Sequence, residues 1–120
     1  MAFSDRELQL ISETPEVRIE THGNSRSYRT IIWVVVDDGE VLVRSVRGEK
    51  GKWYRRVLEN PEVVLEAASI KIPARAVPAT DASSIERTSE ALRRKYKKGR
   101  SLDSMLKPEI LETTLRLDPA

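Results

Sequence analysis

Apolar positions along the chain fall into short, distinct periods. Ser4-x-x-Glu7 reads as a capping box flanked by Phe3 and Leu8, which predicts a helix from about Asp5 to Glu13, ended by Pro15. Val17 to His22 alternates apolar and polar residues as a half-exposed strand does, and Gly23 to Ser27 is a turn. Tyr28 to Val36, YRTIIWVVV, is β-branched and aromatic and is apolar on both faces from Ile31 onward, the pattern of one central strand. Asp37-Asp38-Gly39 predicts a hairpin turn, with Glu40 to Val46 as the returning partner. In that partner Val41, Val43 and Ser45 share one face, and Leu42, Arg44 and Val46 the other.

Trp53, Tyr54, Val57 and Leu58 recur at helical spacing until Asn60-Pro61 stops the helix. Glu62 to Ala68 and Ile70 to Val77 read as a hairpin, with Pro73 placing the second strand at an edge or bulge. Ser83-x-x-Glu86 looks like a second capping box, for a helix whose stripe is Ile85, Thr88, Leu92 and Tyr96 and which Gly99 closes. Leu102 to Leu106 adds a helical turn before Pro108, and Ile110 to Leu117 is suited to a last strand. The expected fold class is therefore α+β: about six mostly antiparallel strands forming a barrel or strongly curled sheet, with two to three helices.

Length fits one domain over residues 1–120. A small, mainly aliphatic core would gain stability from dimerisation. With no cysteine and one histidine, disulfides, a thiolate nucleophile and a Cys-based metal site are excluded. The longest apolar run, Ile31 to Val36, is too short to span a bilayer, and the N-terminus has no signal-peptide pattern, so a cytoplasmic location is expected.

Charge changes the picture more than composition does. The net +2 conceals two basic clusters on an otherwise acidic chain. Arg44, Arg47, Lys50, Lys52, Arg55 and Arg56 surround the single acid Glu49, and Arg93, Arg94, Lys95, Lys97, Lys98 and Arg100 contain no acid. The first cluster lies in a strand, glycine-containing loop and helix start, where Ser45, Arg47, Gly48, Lys50, Gly51 and Lys52 offer what a phosphate needs: converging N–H groups and cations. A solvated basic loop is the plain alternative. The second cluster sits where cations offset a helix macrodipole, a reading that needs no partner; contact with an acidic cofactor tail or nucleic acid is the sharper one. With six aromatics and no RNP-like pattern, sequence-specific RNA recognition is poorly supported. His22 is a candidate general base without a partner that spacing can name.

Arg29-Thr30-x-Ile32-Trp33, Val43-Arg44-Ser45, Lys52-Trp53-Tyr54, Asn60-Pro61 and Thr114-Leu115-Arg116-Leu117, in this order, resemble the flavin-binding split β-barrel superfamily of pyridoxamine phosphate oxidase-like proteins. The closest likeness is to its deazaflavin-dependent oxidoreductase and nitroreductase-like branch, over about Val17 to Pro119. The resemblance implies a split β-barrel, a homodimer with ligand sites near the interface, and a bound flavin-type cofactor, deazaflavin coenzyme in preference to FMN. It implies hydride transfer between that cofactor and an unknown small-molecule substrate, with no catalytic side chain to nominate. Carried over by position, Arg44, Ser45, Arg47, Gly48, Lys50, Gly51, Lys52, Trp53 and Tyr54 are expected on the phosphate side, and Thr30, Ile32 and Trp33 on the ring side. The alternative function is a non-catalytic module that binds an anionic metabolite, a protein partner or, weakly, nucleic acid through the same basic face.

Overall fold

The computed structural model describes residues 2–120. Helix α1, Asp5–Glu13, starts as its capping box predicts: Glu7 N donates to Ser4 Oγ at 3.1 Å and Ser4 N to Glu7 Oε1 at 2.9 Å. The remaining elements are β1 (Val17–Gly23), β2 (Arg26–Ile32), β3 (Val35–Asp37), β4 (Glu40–Val43), α2 (Lys52–Glu59), β5 (Glu62–Ala67), β6 (Ile70–Pro78), α3 (Ala82–Lys95), α4 (Arg100–Met105) and β7 (Leu115–Pro119). Short 3-10 turns occupy Gly48–Lys50 and Pro108–Thr113.

The seven strands form one antiparallel sheet in the order β2-β1-β5-β6-β7-β4-β3. Strands β2 and β3 are thus the two edges, yet only Trp33 and Val34 separate them in the chain. A flat sheet would hold its outer strands about 29 Å apart. Three residue steps reach at most about 11 Å. The sheet must therefore curl until its edges approach, and the chain crosses the resulting gap at Trp33-Val34. This is the expected α+β split barrel, with one strand more than the sequence predicts.

The extra strand comes from a break in Tyr28 to Val36, which is two edge strands and not a central one. The break is held from α3. Lys95 Nζ donates to Val34 O at 2.7 Å and to Ile11 O at 3.1 Å, while Tyr96 Oη accepts from Val34 N at 3.1 Å and donates to Pro15 O at 2.6 Å. Three other expectations need correction. Asp81, not Ser83, caps α3, accepting from Ser84 N at 3.0 Å. Residues 110–113 belong to a 3-10 turn, so the last strand begins at Leu115. Finally, β6 is internal: Pro73 is tolerated because its carbonyl faces the very end of the β7 side, accepting from Ala120 N, where no ladder partner asks for the missing N–H.

Strand alternation divides the core in two. Val17, Ile19, Val41, Val43, Leu65, Ile72, Leu115 and Leu117 point into the barrel with Trp53, Tyr54 and Val57 of α2. On the outer face Leu42 and Val35 pack under α3 and α4 with Ala91, Leu92, Leu102 and Met105. Among the described residues no helix is long and apolar enough to cross a membrane.

Candidate functional site

Strand β4 ends at Val43, and the next residues leave it in divergent directions. Arg44 continues the Leu42 face and is 2% exposed beneath α3 and α4. Its guanidinium donates to Thr114 Oγ1 (2.9 Å), Ser89 Oγ (3.1 Å), Met105 O (3.0 Å) and Ile85 O (3.1 Å). Burial, followed by the nearby Arg93 charge, lowers its pKa to about 10. Ser45 is fully buried: its N–H donates to Thr113 Oγ1 at 3.1 Å and its hydroxyl to Gly48 O at 2.8 Å. Gly48 then adopts φ +64°, and Gly51 passes so close to Ser45 that a Cβ there would stand 2.4 Å from Ser45 Oγ. The loop is a tight buried knot whose exposed residues are the apolar Val46 and the charged Arg47, Glu49, Lys50 and Lys52.

The knot delivers the chain into α2 with Gly51 as its N-cap. No side chain caps this helix and its first turn carries no acid, whereas α1 and α3 are capped by Ser4 and Asp81. The free N–H groups and the positive end of the dipole are left to solvent or to an anion. They open on a cleft of about 600 Å3. Thr30, Ile32 and Trp33 form one wall of it, together with Glu16 and the 58% exposed Ile31. Arg44, Ser45, Val46, Arg47, Gly51, Lys52, Trp53 and Arg56 line it from the loop and α2, and Ser101, Ser104 and Met105 from α4. Arg47 and Lys52 enter no salt bridge among the described residues.

Nine of the twelve residues expected from the sequence therefore meet at one cleft: Thr30, Ile32, Trp33, Arg44, Ser45, Arg47, Gly51, Lys52 and Trp53. Arg44 is there with its donors already committed to protein acceptors. Gly48, Lys50 and Tyr54 are not among the lining residues. Gly48 is buried with its Cα facing Ile110, Lys50 is exposed, and Tyr54 is buried edge-on to Trp53 with ring centroids 6.3 Å apart. Burial, and then Glu49 and Glu112, raise the Tyr54 pKa.

The sequence reading missed Arg56, Val46 and the α4 serines. Arg56 was visible as part of the basic run, but its position depends on β1 and β2: Nε donates to Thr21 Oγ1 at 2.8 Å, and the guanidinium lies 4.0 Å from the Tyr28 ring centroid. Ser101 and Ser104 arrive from a distant helix and carry no local signal. His22 lies elsewhere, at the β1–β2 turn, with Nδ1 3.2 Å from Ser27 Oγ and Nε2 3.9 Å from Glu20. Among the described residues no three His, Cys, Asp or Glu side chains are grouped to hold a metal ion.

The family model described as "Uncharacterized protein conserved in bacteria (DUF2255)" matches residues 7–117. No curated protein sequence matches the chain. Among solved structures, a pyridoxamine 5'-phosphate oxidase-like protein from Listeria innocua superimposes with a TM-score of 0.70 at 15% identity, covering 96% of this chain and 91% of that one. HutZ, described as the heme storage protein of Vibrio cholerae, gives 0.68 at 15% identity over 100% and 92% of the two chains. The F420-H2 dependent reductase FDR-A gives 0.66 at 15% identity over 87% and 94%. At these identities the likeness is one of fold, and the fold is the pyridoxamine phosphate oxidase-like split barrel.

Proposed function

The chain belongs to the DUF2255 family, and for this member we propose that the cleft between the β2–β3 crossing and the start of α2 binds a flavin-type cofactor by its phosphate. One observation carries the reading: the uncapped N-terminus of α2 opens into the same cleft as the free cations Arg47 and Lys52, opposite the Thr30-Ile32-Trp33 wall. A phosphorylated molecule with a flat apolar ring system fits both chemistries at once. Gly51, Arg47 and Lys52, with the first-turn N–H groups, would hold the phosphate, and Arg56 adds charge at the far rim. Ile32 and Trp33 would flank the ring. Arg44 and Ser45 shape the loop rather than bind, since their polar atoms are already satisfied within the protein.

When bound, such a cofactor supplies a hydride donor or acceptor; the protein's part is to orient it and to exclude water. We favour deazaflavin coenzyme over FMN because of the resemblance in sequence and the reductase among the structural neighbours. The activity is then that of an oxidoreductase acting on a small molecule, and the 120 residues work as one domain of a homodimer, with Ile31 and Val46 as exposed apolar residues at the cleft rim. The heme chemistry named for HutZ finds less support, because His22 is not a cleft residue.

The test is a fluorescence titration of the purified protein with FMN and with deazaflavin coenzyme. We expect saturable micromolar binding of one of them, weakened about tenfold by Lys52→Ala, as loss of one charge-assisted contact predicts. No binding of either would refute the assignment.

A further inference from the structure

The basic cluster from Arg93 to Arg100 divides into two halves with different fates. In the first half each cation is committed to the protein: Arg93 pairs with Glu90, Arg94 with Asp37 at 3.0 Å, and Lys95 with two backbone carbonyls. Lys97, Lys98 and Arg100 enter no salt bridge among the described residues. They also lie past Tyr96, the C-cap of α3, so they are not the last-turn cations that offset its dipole. All three line a second, more open cavity of about 690 Å3.

This cavity adjoins the first. The two share Glu16, Trp33 and Ser101 as lining residues, so Trp33 is their common wall. That wall is rigid. The Trp33 and Tyr96 rings are stacked, with centroids 3.8 Å apart and planes 4° from parallel, and the Tyr96 hydroxyl is fixed by Pro15 O and Val34 N. Pro15, Trp33 and Tyr96 therefore give the cavity an apolar side, and Lys97, Lys98 and Arg100 a cationic one. Glu16, at the shared boundary, would repel an anionic group there and direct it toward the cations.

We propose that this second cavity is a separate ligand site, and that it selects a small molecule with a flat apolar body and a carboxylate or phosphate group. Trp33 stands between this site and the first cleft, so the inference holds whatever the first cleft binds.

The test uses 2-naphthoate as probe, with uncharged 2-naphthamide as control, each titrated against cofactor-free protein while tryptophan fluorescence is followed. We expect saturable quenching by 2-naphthoate, weaker binding of the amide, and about tenfold loss of naphthoate affinity in the double variant Lys97→Ala/Arg100→Ala, as loss of two exposed charge contacts predicts. Lys52→Ala should leave naphthoate affinity within about twofold, since that side chain belongs to the other cleft. Absence of saturable quenching, equal binding of the amide, an unchanged double variant or an equal effect of Lys52→Ala would each overturn the proposal. Because no cofactor is present, the result stands apart from the cofactor titration: cofactor binding with no naphthoate binding sinks the second cavity alone.

Discussion

Arg44 keeps its guanidinium out of water without a carboxylate beside it. What makes this tolerable is the hydrogen-bond set, two hydroxyls and two carbonyls drawn from α3, α4 and Thr114 just before β7, which takes up donors at Nε and both terminal nitrogens. Truncation would leave those acceptors buried and unpaired as well as opening a void. Arg44→Ala should therefore cost about 3 kcal/mol, read from the midpoint of urea unfolding, and Arg44→Lys should recover only part, because an ammonium cannot fork. The sequence placed Arg44 on the Leu42 face of its strand, which is where it lies, yet grouped it with the phosphate-binding cations. The grouping followed local charge, whereas its true partners are 41 to 70 residues away in sequence. Gly51 is the opposite case. Its sequence context groups it with the phosphate-binding residues, and the close approach that its missing Cβ allows is that of Ser45 Oγ.

Between elements, the decisive contact is the one that α3 makes with the crossing from β2 to β3. Nothing in YRTIIWVVV announces a break, since the run holds no glycine or proline and every residue but Arg29 favours a strand. The break is imposed from outside, by Lys95 and Tyr96 bonding both backbone groups of Val34. By contrast the Asp38-Gly39 turn was legible because both residues have positive φ, 49° and 77°, as their types favour. The Ala68-Ser69 turn repeats that geometry at 50° and 69° with residues that do not advertise it.

The clamp also carries a pH signature. Burial lowers Lys95 from 10.5 to about 8, so between those values the unfolded chain binds more protons than the folded one, and stability rises with pH through that window. Tyr96, raised from 10.0 to about 12 mainly by burial, works the other way: its contribution is complete below pH 10 and is lost as pH rises toward 12. Arg44, lowered to about 10, adds a rise only above that pH. The clean interval is thus pH 8 to 10. Urea unfolding across it should show increasing stability, and Lys95→Met should flatten the slope; a slope unchanged in that variant would contradict the assignment.

At the scale of the molecule, the candidate site exists because the sheet is curled. Thr30 to Trp33 end the edge strand β2, and Arg44 to Trp53 follow β4, next to the opposite edge of the seven-strand sheet, so only closure sets them across one cleft. Sequence alone named both walls, because each has its own local signature, one β-branched and aromatic, the other basic and glycine-containing. It did not name the third wall, Ser101 to Met105, whose placement follows from packing of α4 on Leu42 and Val35.

Strand β7 has a particular place in this arrangement. It alone bonds the β2-β1-β5-β6 meander to the β4-β3 hairpin, pairing Leu115 to Leu117 with Val41 to Val43 on one side and residues 115–119 with Ala74 to Pro78 on the other. It is also the last of the seven strands in chain order. During synthesis, a nascent chain that has emerged as far as residue 113 holds both hairpin systems and has no sheet hydrogen bonds to join them. The sheet therefore closes only when Leu115–Pro119 become available, and until then the facing edges of β4 and β6 stand open to any other strand in reach.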